Sequence, residues 1–240
     1  MKCATLTTRL CTYLWEGSKR LPLLIMLIGF AFCHAQQTPD EQEVPKDPEA
    51  KKILDELSAK TKTYKSIRVE FSYNLYNKDE DIDETQEGIV TMMGDKYKLE
   101  IAGQEILNNG ETQWVYIKDD DEVQIDDAPD PSEDEDAISP IKLFTIYEKG
   151  FKYKYFGEET KNGKTTQIIK LYPIDANKKS YHTIILNVDK TKKQFDSIQV
   201  LSKDGNKYTY MLKKFETNLG LNDSYFNFDT SKAGDVIDLR

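Results

Sequence analysis

The stretch from Tyr64 to Ile117 constrains this chain more than any other, because apolar and polar residues alternate along successive runs. Val69, Phe71, Tyr73 and Leu75 alternate with Glu70, Ser72 and Asn74. Tyr97, Leu99 and Ile101 alternate with Lys96, Lys98 and Glu100. A period of two places one set on each face of a β-sheet. Gly94 and Asn109-Gly110 mark turns between the runs. Such a sheet needs something apolar over its inner face, and what covers that face decides what the chain does.

The pattern continues through Phe151–Phe156, Thr165–Tyr172, Tyr181–Val188, Phe195–Leu201 and Lys207–Phe215. Asn162-Gly163 and Asp204-Gly205 predict type I′ hairpin turns, and Asp189–Lys192 predicts another turn. Sequential hairpins give an antiparallel meander, which curls into a barrel or half-barrel as strands accumulate.

Two helices are expected as cover. Asp47-Pro48 pairs an N-cap with a proline at the first helical position. Ala50, Ile53, Leu54, Leu57 and Tyr64 then share one face, opposite Lys51, Lys52, Asp55, Glu56 and Lys60. Ser139-Pro140 predicts a second, short helix from Ile141 to Lys149, stopped by Gly150. Ile141, Leu143, Phe144, Ile146 and Tyr147 surround it on nearly all sides, which suits a plug inside a curved sheet.

The N-terminus reads as a secretory leader. Lys19 and Arg20 precede an apolar core, Leu21–Phe32, and Cys33-His34-Ala35 supplies small residues for cleavage after Ala35. That core falls short of the roughly 20 residues a membrane span needs. Lipidation at Cys33 is the rival reading, against which bulky Phe32 stands where a small residue is required. The expected organisation is a signal peptide at 1–35, a polar tether at 36–46 and one domain at 47–240, placed in the periplasm. Cleavage removes Cys3, Cys11 and Cys33 together with His34, leaving His182 as the remaining histidine. Disulfides, thiol nucleophiles and Cys/His zinc clusters are thereby excluded. The leader carries Lys2, Arg9, Lys19, Arg20 and Glu16, so the net charge of −9 becomes −12 without it. So acidic a chain is expected to repel nucleic acid and anionic membrane surfaces. Eleven of the negative charges fall between Asp119 and Asp136, however, and the rest of the domain is close to neutral, which weakens the argument against membranes.

Catalytic signals are missing. His182 sits mid-strand with no Gly-x-Ser-x-Gly elbow nearby, and no phosphate-cradling Gly-rich loop links a strand to a helix. Carboxylates are too abundant for any pair to mark a glycosidase. Eleven of the eighteen residues from Asp119 to Asp136 are Asp or Glu, but the run lacks the glycine of a calcium loop. With Pro129 and Pro131 it reads as an extended, solvated acidic insertion. No enzyme activity, metal or cofactor is expected.

In order along the chain stand Tyr64-Lys65-Ser66-Ile67, Phe71, Gly88, Ile89–Met93, Lys96–Glu100 and Asn109–Tyr116 with its Trp114-x-Tyr116. The helical Ser139–Lys149 stretch, Phe226-Asn227-Phe228 and Ala233–Ile237 follow. This series resembles the LolA-like family, periplasmic carriers of outer-membrane lipoproteins. The resemblance implies a mainly β fold: an unclosed antiparallel barrel of about eleven strands under a helical lid. It implies a cavity that shields acyl chains, with Ile53, Leu54, Leu57, Phe71, Tyr73, Met92, Tyr97, Leu99, Trp114, Tyr116, Ile141, Phe144 and Tyr147 as its lining. Partners by the same resemblance are acylated lipoproteins, an inner-membrane Lol-type ABC exporter and an outer-membrane acceptor, with the chain itself a monomer. Some of these carriers keep an Arg after the second strand that couples the lid to lipid entry. Here Met92-Met93-Gly94-Asp95-Lys96 has none; Lys96 is the nearest cation, and Arg68 on the first strand is the other candidate. The alternative function is a periplasmic sensor of lipid or lipoprotein built on the same fold.

Overall fold

The computed structural model describes residues 47–129 and 146–240. Asp47 caps the first helix, α1 (Pro48–Thr61), accepting hydrogen bonds from the Glu49 and Ala50 amides at 2.9 and 3.3 Å. Then come β1 (Ile67–Asn77), β2 (Ile82–Met93), β3 (Lys96–Ile101), β4 (Gln104–Asn108), β5 (Thr112–Ile117) and β6 (Glu122–Asp127). After a 3-10 turn at Ile146–Glu148 follow β7 (Phe151–Lys161), β8 (Lys164–Pro173), β9 (Tyr181–Asp189), β10 (Gln194–Ser202) and β11 (Lys207–Thr217). The last strand is β12 (Asp235–Asp238).

All twelve strands form one unclosed sheet in the order β12-β6-β5-β4-β3-β2-β1-β11-β10-β9-β8-β7. Every neighbouring pair is antiparallel except β12 with β6, which is parallel. The sheet is two meanders, β1–β6 and β7–β11, joined through β1 and β11. Ile53, Leu54 and Leu57 of α1 belong to one core with Ile169, Leu171, Ile184, Leu186 and Ile198, so α1 lies on that face of the sheet. We call this the inner face. Each such apolar side chain contributes about 1.5–3 kcal/mol when fully buried.

The same cap residue protects a sheet edge. The Asp47 carboxylate accepts the Tyr155 amide at 3.0 Å, and its own amide donates to the Tyr153 carbonyl at 3.4 Å. Both partners lie on β7, an end strand whose bare backbone would otherwise invite pairing. The Tyr155 amide is the main reason that the Asp47 carboxyl is held below its ordinary pKa.

Several expectations change. Part of the acidic run is not solvated loop: Glu122–Asp127 is β6, with Val123 and Ile125 at 0% and 6% exposure. Alternation with the apolar pair overrode the charge. The part of that run from 130 to 136 lies outside the described residues. Asn162-Gly163 has positive φ at both positions, as a type I′ turn requires, but at 204–205 only Gly205 does. There β10 ends at Ser202 and β11 begins at Lys207, giving a longer loop closed by the Ser202 amide on the Asn206 carbonyl at 2.9 Å. Of the expected second helix, Ile146–Glu148 forms a 3-10 turn. Ile141 and Phe144 lie outside the described residues.

Candidate functional site

The strand register carries apolar rows across the inner face. One runs Phe215–Val69–Val90–Leu99–Ile106–Val115 over six strands. Another runs Tyr73–Tyr210–Ile198–Leu186–Ile169–Tyr155 toward the opposite end. At about 4.8 Å between strands, each spans roughly 24 Å.

The rows outrun their cover. Where α1 packs, Ile169, Leu171, Ile184 and Leu186 are at 0% exposure. Past β2, Leu99, Ile101, Ile106, Val115 and Ile117 are only half-buried. Tyr73, Tyr97, Leu99, Tyr208, Tyr210 and Leu212 pack against the core without being enclosed by it. Aromatic rings floor the transition, with Tyr73 and Tyr210 centroids 5.2 Å apart and Phe71 6.3 Å from Tyr210. Gly88 is what admits Phe71: a Cβ there would stand 2.5 Å from its Cζ. Burial pushes up the phenol pKa values of Tyr73, Tyr97 and Tyr210, so these rings stay neutral well past physiological pH. The Tyr97 hydroxyl donates to Gln113 at 2.9 Å, also on the inner face.

Of the residues expected to line a cavity, Ile53, Leu54, Leu57, Phe71, Met92 and Tyr147 are buried in this core, and Tyr73, Tyr97 and Leu99 pack at its margin. Trp114 and Tyr116 do not join them. Trp114 pairs with Leu107 and Ile125, and Tyr116 with Glu105 and Val123; Leu107 in turn pairs with Lys98, whose neighbours Tyr97 and Leu99 point inward. Trp114 and Tyr116 therefore stand on the outer face. Their cover is the C-terminal segment: Phe228 lies 5.0 Å from the Tyr116 ring, and Asn109 Nδ2 donates to Asn227 at 2.9 Å. Phe226 is at 0% exposure, and the Gly234 and Asp235 amides donate to the Asp121 carbonyl at 2.8 and 3.1 Å.

Val90, Ile106, Val115 and Ile117 stand on the inner face beyond the expected lining, as does Ile101, which alternation already places on the face of Tyr97 and Leu99. The short turns between β3, β4 and β5 fix Leu99 opposite Ile106 and Ile106 opposite Val115, so counting register through them identifies the row. Neither candidate gating cation reaches this face. Arg68 lies outward near Glu216 at 4.0 Å, and Lys96 pairs outward with Asp223 at 2.9 Å. His182 is exposed, its Nδ1 bonded to the neighbouring Thr183 hydroxyl at 2.8 Å. Among the described residues no group of His, Cys, Asp and Glu is arranged to hold a metal ion, and no helix is long and apolar enough to cross a membrane.

A family model described as outer membrane lipoprotein carrier protein LolA matches residues 62–229, and the chain belongs to that family. No curated protein matches it. Among solved structures, an uncharacterised conserved protein from Thermus thermophilus shares the fold at 10% identity, TM-score 0.51, covering 79% of this chain and 99% of that one. A lipoprotein-sorting protein domain from Vibrio parahaemolyticus aligns at 15% identity and TM-score 0.42, covering 73% and 95% of the two chains. MucB in its complex with MucA from Pseudomonas aeruginosa aligns at 13% and 0.43, covering 77% of this chain and 62% of that one.

Proposed function

We propose that this LolA-family chain binds the acyl chains of lipoproteins on its inner face and carries them through the periplasm from the inner to the outer membrane. The observation that carries this reading is the mismatch between the apolar rows and their cover. The inner face is sealed over β7–β9, where α1 packs, and is only half-buried over β3–β5, leaving apolar surface for a guest. Each buried CH₂ of an acyl chain is worth about 0.8 kcal/mol, so such chains need a shield in water and a surface of this kind supplies one. A half-open site also suits a carrier, which must let go. Its donor is then an inner-membrane ABC exporter of the Lol type and its acceptor an outer-membrane protein.

The test is native mass spectrometry of the protein purified from the cell envelope. The expected result is an acylated lipoprotein adduct that a competing fatty acid displaces. A ligand-free protein that fails to take up a fluorescent fatty acid overturns the reading. A stable protein partner recovered in place of lipoprotein points instead to the sensing role.

A further inference from the structure

We propose that the outer face of β7 and β8 docks on an anionic lipid bilayer, through Lys152, Lys154, Lys170 and Phe156. Lys154 and Lys170 stand directly opposite each other across the β7–β8 pair. Like charges so placed destabilise a sheet unless something answers them. Within the protein they are answered by one ring and, for Lys154, in part by the nearby Asp47 carboxylate: the Phe156 centroid lies 4.1 Å from Lys170 Nζ and 5.7 Å from Lys154 Nζ. That ring is itself 46% exposed.

None of the three lysines has a carboxylate at ion-pair distance among the described residues. Lysines elsewhere on the sheet do: Lys98 with Glu105, Lys164 with Asp196, Lys190 with Glu158 and Lys213 with Glu87. Further along the outer face, β9 and β10 add the uncharged Ile185, Asn187, Ser197 and Gln199, and their carboxylates there, Asp189 and Asp196, lie at the far end where both pair with Lys164. Glu159, beyond the bulge at Phe156, is the first carboxylate on this side of β7. A chain of net charge −9 therefore keeps one face cationic with an exposed aromatic at its centre.

The chemistry of that face matches a bilayer surface. Lysine stems lie along apolar material while their ammonium groups reach phosphates, and an aromatic ring enters the acyl boundary between them. Attraction to anionic lipid is local, since charges more than about 8 Å away are screened at physiological salt. The acidic residues elsewhere on the chain do not cancel it. This docking holds whatever occupies the inner face, so its failure and that of the carrier reading are separable.

The experiment is co-sedimentation of the exported protein with vesicles of phosphatidylcholine alone or mixed with phosphatidylglycerol, at low and high salt. Binding is expected only to the mixed vesicles, and salt should reverse it. Each surface lysine adds roughly fivefold to binding at an anionic membrane, so the K154Q/K170Q variant should bind about thirtyfold more weakly. Phe156→Ser should lose about tenfold, with far-UV circular dichroism showing the fold retained. Equal binding to both kinds of vesicle, or unchanged binding by K154Q/K170Q, overturns the proposal. So does failure to bind any vesicle while the lysines prove necessary for capture by an acidic protein.

Discussion

Gly88→Val is the sharpest test of how the inner face is packed. Gly88 lies opposite Phe71 in the β1–β2 pair, within a strand and without positive φ. Backbone strain is therefore not at stake, and valine by itself favours a strand by up to about 1 kcal/mol. A Cβ at this position would stand 2.5 Å from Phe71 Cζ and 3.0 and 3.1 Å from its Cε atoms. Unbonded carbons settle at about 3.5–4.0 Å, so the ring must retreat by roughly 1 Å. It has little room, being 8% exposed and set against Tyr210. Overpacking of this kind costs about 1–3 kcal/mol, leaving a net loss of about 0–2 kcal/mol after the full strand preference. Phe71→Leu removes the offending atoms. In that background Gly88→Val should be neutral or stabilising, a coupling of at least about 1 kcal/mol between the two sites. Urea unfolding followed by circular dichroism measures all four corners of the cycle, provided the denaturant slope stays constant. Equal cost of Gly88→Val in both backgrounds would refute the steric argument.

Leu54→Ala, at 2% exposure on the helix face that meets the sheet, should cost about 2–5 kcal/mol in the same unfolding assay. Among the described residues the buried Tyr147 hydroxyl has no hydrogen-bond partner, and Ser58 Oγ donates to Glu148 at 2.8 Å. Tyr147→Phe should therefore be neutral or stabilising by about 1 kcal/mol at pH 7. Burial pushes that phenol from 10.0 up to about 12, so the folded state holds its proton longer than the unfolded chain does. The contribution is whole below pH 10 and lost as pH rises toward 12, and stability against pH should fall less steeply over that window in Tyr147→Phe. Met92→Trp should crowd the inner face beside Tyr97 and lower uptake of a fluorescent fatty acid about tenfold, if roughly 1.4 kcal/mol of acyl burial is lost. The same change at Met211, outward and 53% exposed, should leave uptake unaltered.

Much of the fold was legible because the sequence signals are local. Asp47-Pro48 stands where α1 begins, and the apolar spacing at Ile53, Leu54 and Leu57 named its buried face. The run Lys207–Phe215 lies within β11, and Tyr181–Val188 within β9, because strict alternation has few other uses. β6 was hidden since six acidic neighbours outweighed two apolar residues, Val123 and Ile125, in any reading of composition. The Asp204-Gly205 turn was misread since one dipeptide serves both a two-residue and a longer loop, and flanking pairs choose between them.

The site divides in the same way. Alternation alone determined that Trp114 and Tyr116 share a face, as do Tyr97 and Leu99. It did not determine that the two pairs point to opposite sides. That depends on register, since a shift of one residue sends a whole strand's side chains to the other face. Tertiary structure made the choice: Leu99 pairs with Ile106 and Ile106 with Val115, and the outward rings meet the segment around Phe226-Asn227-Phe228, more than a hundred residues away in sequence. Sequence by itself thus set the sheet, its helical cover and the apolar stock of the chain. Which apolar residues are sealed, and which stay half-buried, followed only from how distant strands came to lie side by side.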